Sequence, residues 1–132
     1  MWRPSSERLA TLRQEYPVGA RVELIEMLDC QAPPSGTQGT VKGVDDMGDI
    51  MVAWDTGSSL KIILGVDSCK KLLMTAKVWE QLMTIRQSGQ TNMFDTATVQ
   101  RLAYEQGFFD LVLFIEEHRK AYVRYILTGH EE

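Results

Sequence analysis

The spacing of apolar residues changes character once along this chain, between Leu73 and Thr75, and the change bounds the folds open to it. Before that point, short alternating runs are separated by Gly, Asp and Pro; after it, apolar residues recur at steps of three and four. Alternation distributes side chains over the two faces of a strand, whereas the longer step lines one face of a helix. With 132 residues to share, each half has room for one small core. Large multidomain enzymes and repeat arrays are excluded.

The reading is therefore α+β, with a helix at residues 1–16, a β unit at 17–73 and a helical unit at 74–132. Ser5 or Ser6 caps a short amphipathic helix through Gln14, with Leu9 and Leu12 on one side. Arg21 to Met27 alternates as a strand with one wet face, and Pro33-Pro34 marks a loop because neither proline donates a ladder hydrogen bond. Strands are expected at Gly39 to Val44, Asp49 to Trp54, Ser58 to Leu64 and, after a helical turn at Gly65-Val66-Asp67, at Cys69 to Leu73. Asp45-Asp46-Met47-Gly48 and Asp55-Thr56-Gly57 supply hairpin turn chemistry. Five short strands joined this way close into a small SH3-like or KOW-like barrel, with Val22, Leu24, Val41, Val44, Ile50, Val52, Ile62, Leu64 and Leu72 as its core.

The second half predicts a three-helix module. One helix starts near Thr75 and stops at Gly89; a second is capped by Asp95 and closed by Gly107. A third runs unbroken from Phe108 to Thr128, its stripe of Leu111, Ile115, His118, Tyr122 and Ile126 opposed by a ridge of Glu116, Lys120 and Arg124.

Two strings carry a family resemblance. Gly36 to Gly48, continued by Val52 to Leu60, resembles a small uncharacterised family with an SH3-like fold. Trp79-Glu80, Thr91 to Asp95, Ala103-Tyr104-Glu105 and Phe114 to Lys120 resemble a second uncharacterised family, and together the two span about residues 16 to 129. Both look like families of phages, conjugative elements and related mobile DNA of Gram-positive bacteria, often fused in this order. The resemblance implies a mobile-element accessory protein, a class rich in regulators and inhibitors of host defence, and transfers no catalytic residue.

The residues themselves offer little for catalysis. Of two histidines, His130 sits in a terminal Gly-His-Glu-Glu string, and His118 falls on an apolar stripe beside Glu117, the place of a core-edge histidine more than of a general base. No nucleophile elbow, phosphate-binding glycine loop or paired-histidine helix motif occurs. Cys30 and Cys69 form no Cys-x-x-Cys pair and read as reduced thiols of a cytoplasmic protein. Asp45, Asp46 and Asp49 fall short of a calcium loop and fit hairpin turns. No cofactor or metal is expected. The longest apolar run, Leu111 to Ile115, is far too short for a bilayer, so no membrane is expected either.

Binding remains. Trp54 with Lys42, Lys61, Lys70 and Lys71 would suit nucleic acid, but residues 17–73 carry five cations against eight anions, and an acidic unit repels phosphate. A helix-turn-helix reading of the second half would put the apolar and acidic start Phe108 to Ile115 in the major groove, where readers show Arg, Asn or Gln. That run suits burial between the units, a homodimer contact or a partner surface. The expectation is a non-enzymatic accessory protein that binds a host or phage protein, such as a defence nuclease of CRISPR type. Acidic loops at Asp45, Asp46, Asp49 and Asp55, with Trp54, Lys61 and the aromatic anchors Phe94, Phe109 and Tyr125, are its candidate contacts. A nucleic-acid-binding regulator is the alternative.

Overall fold

The computed structural model describes residues 3–132; positions 1 and 2 of the expected 1–16 element lie outside the described residues. The chain divides into two compact units, Met1–Leu72 and Leu73–Glu132.

In the first unit, helix α1 (Ser6–Glu15) is capped by Ser5, whose side chain accepts from the Arg8 amide. It lies on the sheet through buried Leu12, while the Arg13 guanidinium donates to the Val44 carbonyl at 3.1 and 3.3 Å. Strands β1 (Arg21–Glu26), β2 (Gln38–Val44), β3 (Ile50–Trp54) and β4 (Ser68–Lys71) follow. They form one antiparallel sheet in the order β3-β2-β1-β4. Register shifts between Val41 and Gly43 and between Leu24 and Glu26 bend the two inner strands.

The expected five-stranded barrel is thus an open sheet of four strands. Ser58 to Leu64 does not form a ladder because side chains take its backbone groups first. The Trp54 indole donates to the Leu60 carbonyl, the Ser58 hydroxyl accepts from the Leu60 amide, and the Asp67 carboxylate accepts from the Ile63 amide. What pairing remains is isolated: Ile62 exchanges two 2.9 Å bonds with Ile50, and Leu64 bridges Asp67. The core is Leu12, Ala20, Val22, Leu24, Val41, Val44, Ile50, Val52, Trp54 and Ile62. Of the residues expected there, Leu64 is only partly buried and Leu72, though buried, lies outside the cluster.

The second unit has four helices where three are expected: α2 (Ala76–Ser88), α3 (Thr96–Glu105), α4 (Phe109–Glu117) and α5 (Arg119–Thr128). Asp95 caps α3 as the sequence predicts, Thr75 caps α2, and Gly89 ends α2 in the left-handed region. The long last helix breaks at His118, whose φ of −133° and ψ of 49° leave the helical basin. Its amide still closes α4 on the Phe114 carbonyl and its carbonyl opens α5 to the Tyr122 amide. No glycine or proline marks the break; beyond it α5 buries Tyr122, whose hydroxyl donates to the Met93 carbonyl at 2.7 Å. Burial pushes the Tyr122 phenol up to about 12.

Buried polar side chains tie the helices together. The Gln81 carbonyl accepts from the Leu111 amide at 2.9 Å, joining α2 to α4, and the buried Glu131 carboxylate accepts from the Leu73 and Met74 amides. Met74, Val78, Leu82, Ile85, Val99, Leu102, Ala103, Leu111, Phe114, Ile115 and Tyr122 make the core. The apolar run beginning at Phe108 therefore buries Leu111, Phe114 and Ile115 inside this unit's own core. Among the described residues no helix is long and apolar enough to cross a membrane.

Two substitutions test this packing. A Cβ at Gly39 would stand 2.6 Å from Val52 Cγ1 and 2.9 Å from Trp54 Cε3. Gly39→Ala is therefore expected to destabilise the first unit by about 1–3 kcal/mol, the usual range for overpacking, read as a lowered denaturation midpoint. Tyr122→Phe orphans the Met93 carbonyl and should cost about 1–3 kcal/mol in the second unit, read from amide exchange in α5.

Candidate functional site

The irregular segment between β3 and β4 shapes a concave surface of the first unit. Its architect is Asp67, buried at 8% exposure. One carboxylate oxygen accepts from the Leu28 amide at 3.0 Å and the other from the Ile63 amide at 2.9 Å. Two loops far apart in sequence are thereby held at a fixed separation. Between them lies an open groove of about 370 Å³, lined by Met27, Leu28, Leu60, Ile63 and Val66 with Asp29, Asp49, Ser59, Lys61 and Asp67. Leu28, Ile63 and Val66 are exposed at 70, 46 and 52%. A smaller hollow of about 190 Å³ has Arg8, Leu12, Met47 and Leu64 in its wall and shares Asp49 and Ile63 with the groove.

The electrostatics single out Asp49. Asp45 accepts from the Met47 and Asp49 amides through Oδ1 and from Lys61 through Oδ2 at 2.8 Å. Burial pushes the Asp45 carboxyl upward, but the hydrogen bonds from Lys61 and the two amides outweigh it and hold the group below its ordinary value. Asp49 behaves in the opposite way. Burial, then the Asp45 charge, raise its carboxyl against the weaker pull of Lys61, and Asp67 adds to the rise. It forms no ion pair among the described residues, and it lines both hollows. An anion crowded by like charge beside hydrocarbon walls is suited to receive a cation carried on an apolar ligand.

The structure brings together Asp45, Asp49 and Lys61 of the residues expected at a site, and sends the others elsewhere. Asp46 pairs with Arg13 at 3.2 Å at the edge of α1. Asp55 forms a two-pronged pair with Arg21, both contacts 2.7 Å, with the Arg21 side chain 2% exposed. Trp54 is buried at 3% and is a core residue, not a stacking platform, because its indole is committed to the Leu60 carbonyl. In the second unit Phe94 and Phe109 are exposed, while Tyr125 is half-buried and accepts from the Trp79 indole at 2.9 Å. His118 is half-buried at the α4–α5 break, 5.4 Å from the Phe114 ring and 4.0 Å from Glu117. Cys30 and Cys69 are free thiols, and burial pushes the Cys69 thiol up. Among the described residues no group of three or more His, Cys, Asp or Glu is placed to hold a metal ion.

Sequence reasoning missed Leu28, Ile63, Val66 and Asp67. The signal was present in Gly65-Val66-Asp67, where an acid follows a glycine turn between two apolar segments, the setting of a side-chain-to-backbone brace. Asp67→Ala should remove two charge-assisted bonds and destabilise the first unit by on the order of 3 kcal/mol. Accelerated amide exchange confined first to Leu28 and Ile63 is the expected measurement.

Comparison with known proteins agrees with the division of the chain. Residues 74–130 match the model of a second domain of unknown function, DUF5049, directly after a first match over residues 5–72. No curated protein matches the chain. The first match covers just over half of the sequence, and the protein belongs to the family of the domain of unknown function DUF4314.

Proposed function

We propose that this chain is a non-catalytic binding protein that captures a protein partner in the groove braced by Asp67. The observation that carries the reading is the pairing, in one concavity, of exposed Leu28, Ile63 and Val66 with the Asp49 carboxylate. The partner it favours presents an apolar side chain beside a Lys or Arg. Apolar burial supplies affinity, and the cation supplies orientation and a faster encounter. In the mobile-element setting implied by the sequence resemblance, the basic, nucleic-acid-binding face of a host defence nuclease of CRISPR type is a surface of this chemistry, and occupying it would inhibit the nuclease.

Two of the charges that the sequence assigned to docking are tied up within the fold, Asp45 on Lys61 and Asp55 on Arg21, while Asp46 stays exposed beside Arg13. Attraction for a basic partner in the groove then rests on Asp49 together with the exposed Asp29. The nucleic-acid alternative loses its stacking residue with the burial of Trp54.

Affinity capture from a Gram-positive host lysate with the wild-type chain, set beside the Asp49→Lys/Ile63→Ser variant, tests the reading. The expected result is a stoichiometric protein retained by the first and lost by the second, since both positions are at least partly exposed and the fold should persist. Retention of DNA or RNA instead, with affinity falling steeply as salt rises, would overturn it. The pH dependence follows from Asp49. Because its carboxyl sits above the ordinary range, capture should weaken on acidification earlier than an ordinary aspartate would dictate, as protonation removes the charge that holds the cation.

A further inference from the structure

We infer, building on the binding role proposed for the groove, that the partner segment it takes is an extended peptide with a Lys or Arg between two apolar residues. The cation stands over Asp49, and one apolar side chain enters each of the two hollows that meet there. Asp49 and Ile63 line both the groove and the smaller hollow, so together they are the partition between the two. Each compartment has its own apolar wall: exposed Leu28 and Val66 face the groove, and Leu12, Met47 and Leu64 face the hollow. Gly48 lines the hollow with bare backbone at a φ of +83°, where a Cβ would stand 3.4 Å from Leu12 Cδ1 and 3.5 Å from Pro4 Cγ. The hollow is therefore kept open by a turn that glycine adopts readily and other residues do not. In an extended peptide, residues i, i+2 and i+4 face the same way, so three side chains can descend in turn to hollow, partition and groove.

Charge fixes the order of the three. The acids lining either compartment are Asp29, Asp49 and Asp67, and the cations are Arg8 and Lys61. Lys61 is held by Asp45 at 2.8 Å, and Asp67 is committed to the Leu28 and Ile63 amides. That leaves Asp49 on the partition and exposed Asp29 in the groove, against Arg8 in the hollow. A ligand cation is drawn to the partition and kept out of the hollow by Arg8, so the side chain that enters the hollow is uncharged. Phosphate meets the opposite field at the partition, which turns nucleic acid away from this path.

The test titrates the labelled full chain with acetyl-Leu-Ser-Lys-Ser-Leu-amide, with its counterpart carrying Glu for Lys, and with the two peptides in which Ser replaces one Leu, following backbone amide shifts. The expected result is saturable shifts at Met47, Asp49, Ile63 and Val66 with the first peptide, little response to the Glu peptide, and binding about ten-fold weaker or worse on loss of either Leu. Met47→Ser, in the hollow alone, and Leu28→Ser/Val66→Ser, in the groove alone, should each weaken binding by a similar factor; all three positions are exposed, so the fold should persist. If Met47→Ser binds as the wild type does while Leu28→Ser/Val66→Ser fails, the groove reading stands and the two-compartment inference is overturned. Equal binding of the Lys and Glu peptides, no saturable shifts with any peptide, or a wild-type dimer in light scattering that Met47→Ser dissolves would each overturn it as well, with capture from lysate still deciding the groove reading.

Discussion

The first unit turns on one buried carboxylate. A four-stranded open sheet leaves the chain between Trp54 and Ser68 with amides and carbonyls that no ladder satisfies, and burying such groups unpaired would cost about 1–3 kcal/mol each. Asp67 resolves part of this by accepting the Ile63 amide, and its second oxygen takes the Leu28 amide from the loop after β1. The Trp54 indole does the same for the Leu60 carbonyl. Side chains thus replace a strand, and the replacement is the cause of the groove. A paired fifth strand would have laid alternate side chains flat on the sheet; a braced loop lifts Ile63 and Val66 outward beside Leu28.

The same economy governs charge. A net excess of anions reads, from the sequence, as an acidic surface. In the fold, each of three aspartates is drawn to a particular cation for a structural purpose. Asp55 meets Arg21 across the sheet with the planar match that a guanidinium offers a carboxylate. Asp46 fastens α1 through Arg13, and Asp45 organises the β2–β3 turn while holding Lys61. What distinguishes Asp49 is that burial, then the charges of Asp45 and Asp67, raise its carboxyl against the pull of Lys61, while it forms no ion pair among the described residues. Net charge describes the chain, whereas the groove is set by the acids that line it without an ion pair among the described residues, Asp29 and Asp49.

How much was legible follows from the range of the forces involved. Caps and glycine stops are local, so Ser5, Asp95 and Gly89 appear in the fold where the residue pattern places them. Period-two alternation located β1, β2 and β3 to within a residue or two, and β4 from its start. The failures are long-range. Ser58 to Leu64 has strand composition, and only the three-dimensional position of Trp54 and Asp67 reveals that its hydrogen bonds are already taken. Glu116 to Ala121 consists of helix-compatible residues, so nothing local marks the break at His118, after which Tyr122 reaches the Met93 carbonyl in another part of the chain. The groove was half legible: Asp49 and Lys61 stood out by charge, while Leu28 and Val66 resembled ordinary strand or turn residues because exposure is not written in residue type.

Helix α4 shows why an apolar run need not be wholly buried. A helix that folds against one core needs an apolar stripe over part of its circumference, and Leu111, Phe114 and Ile115 provide it. Phe109 and Leu113 extend hydrocarbon to the opposite side, where water bears on it. The second unit does not need them to close: Gln81, Tyr122 and Glu131 already satisfy its internal amides and carbonyls, and its core excludes both residues. Exposed apolar side chains are ordinary on a folded protein. Folding accounts for the inner half of the run, and the outer half leaves Phe109 and Leu113 facing water.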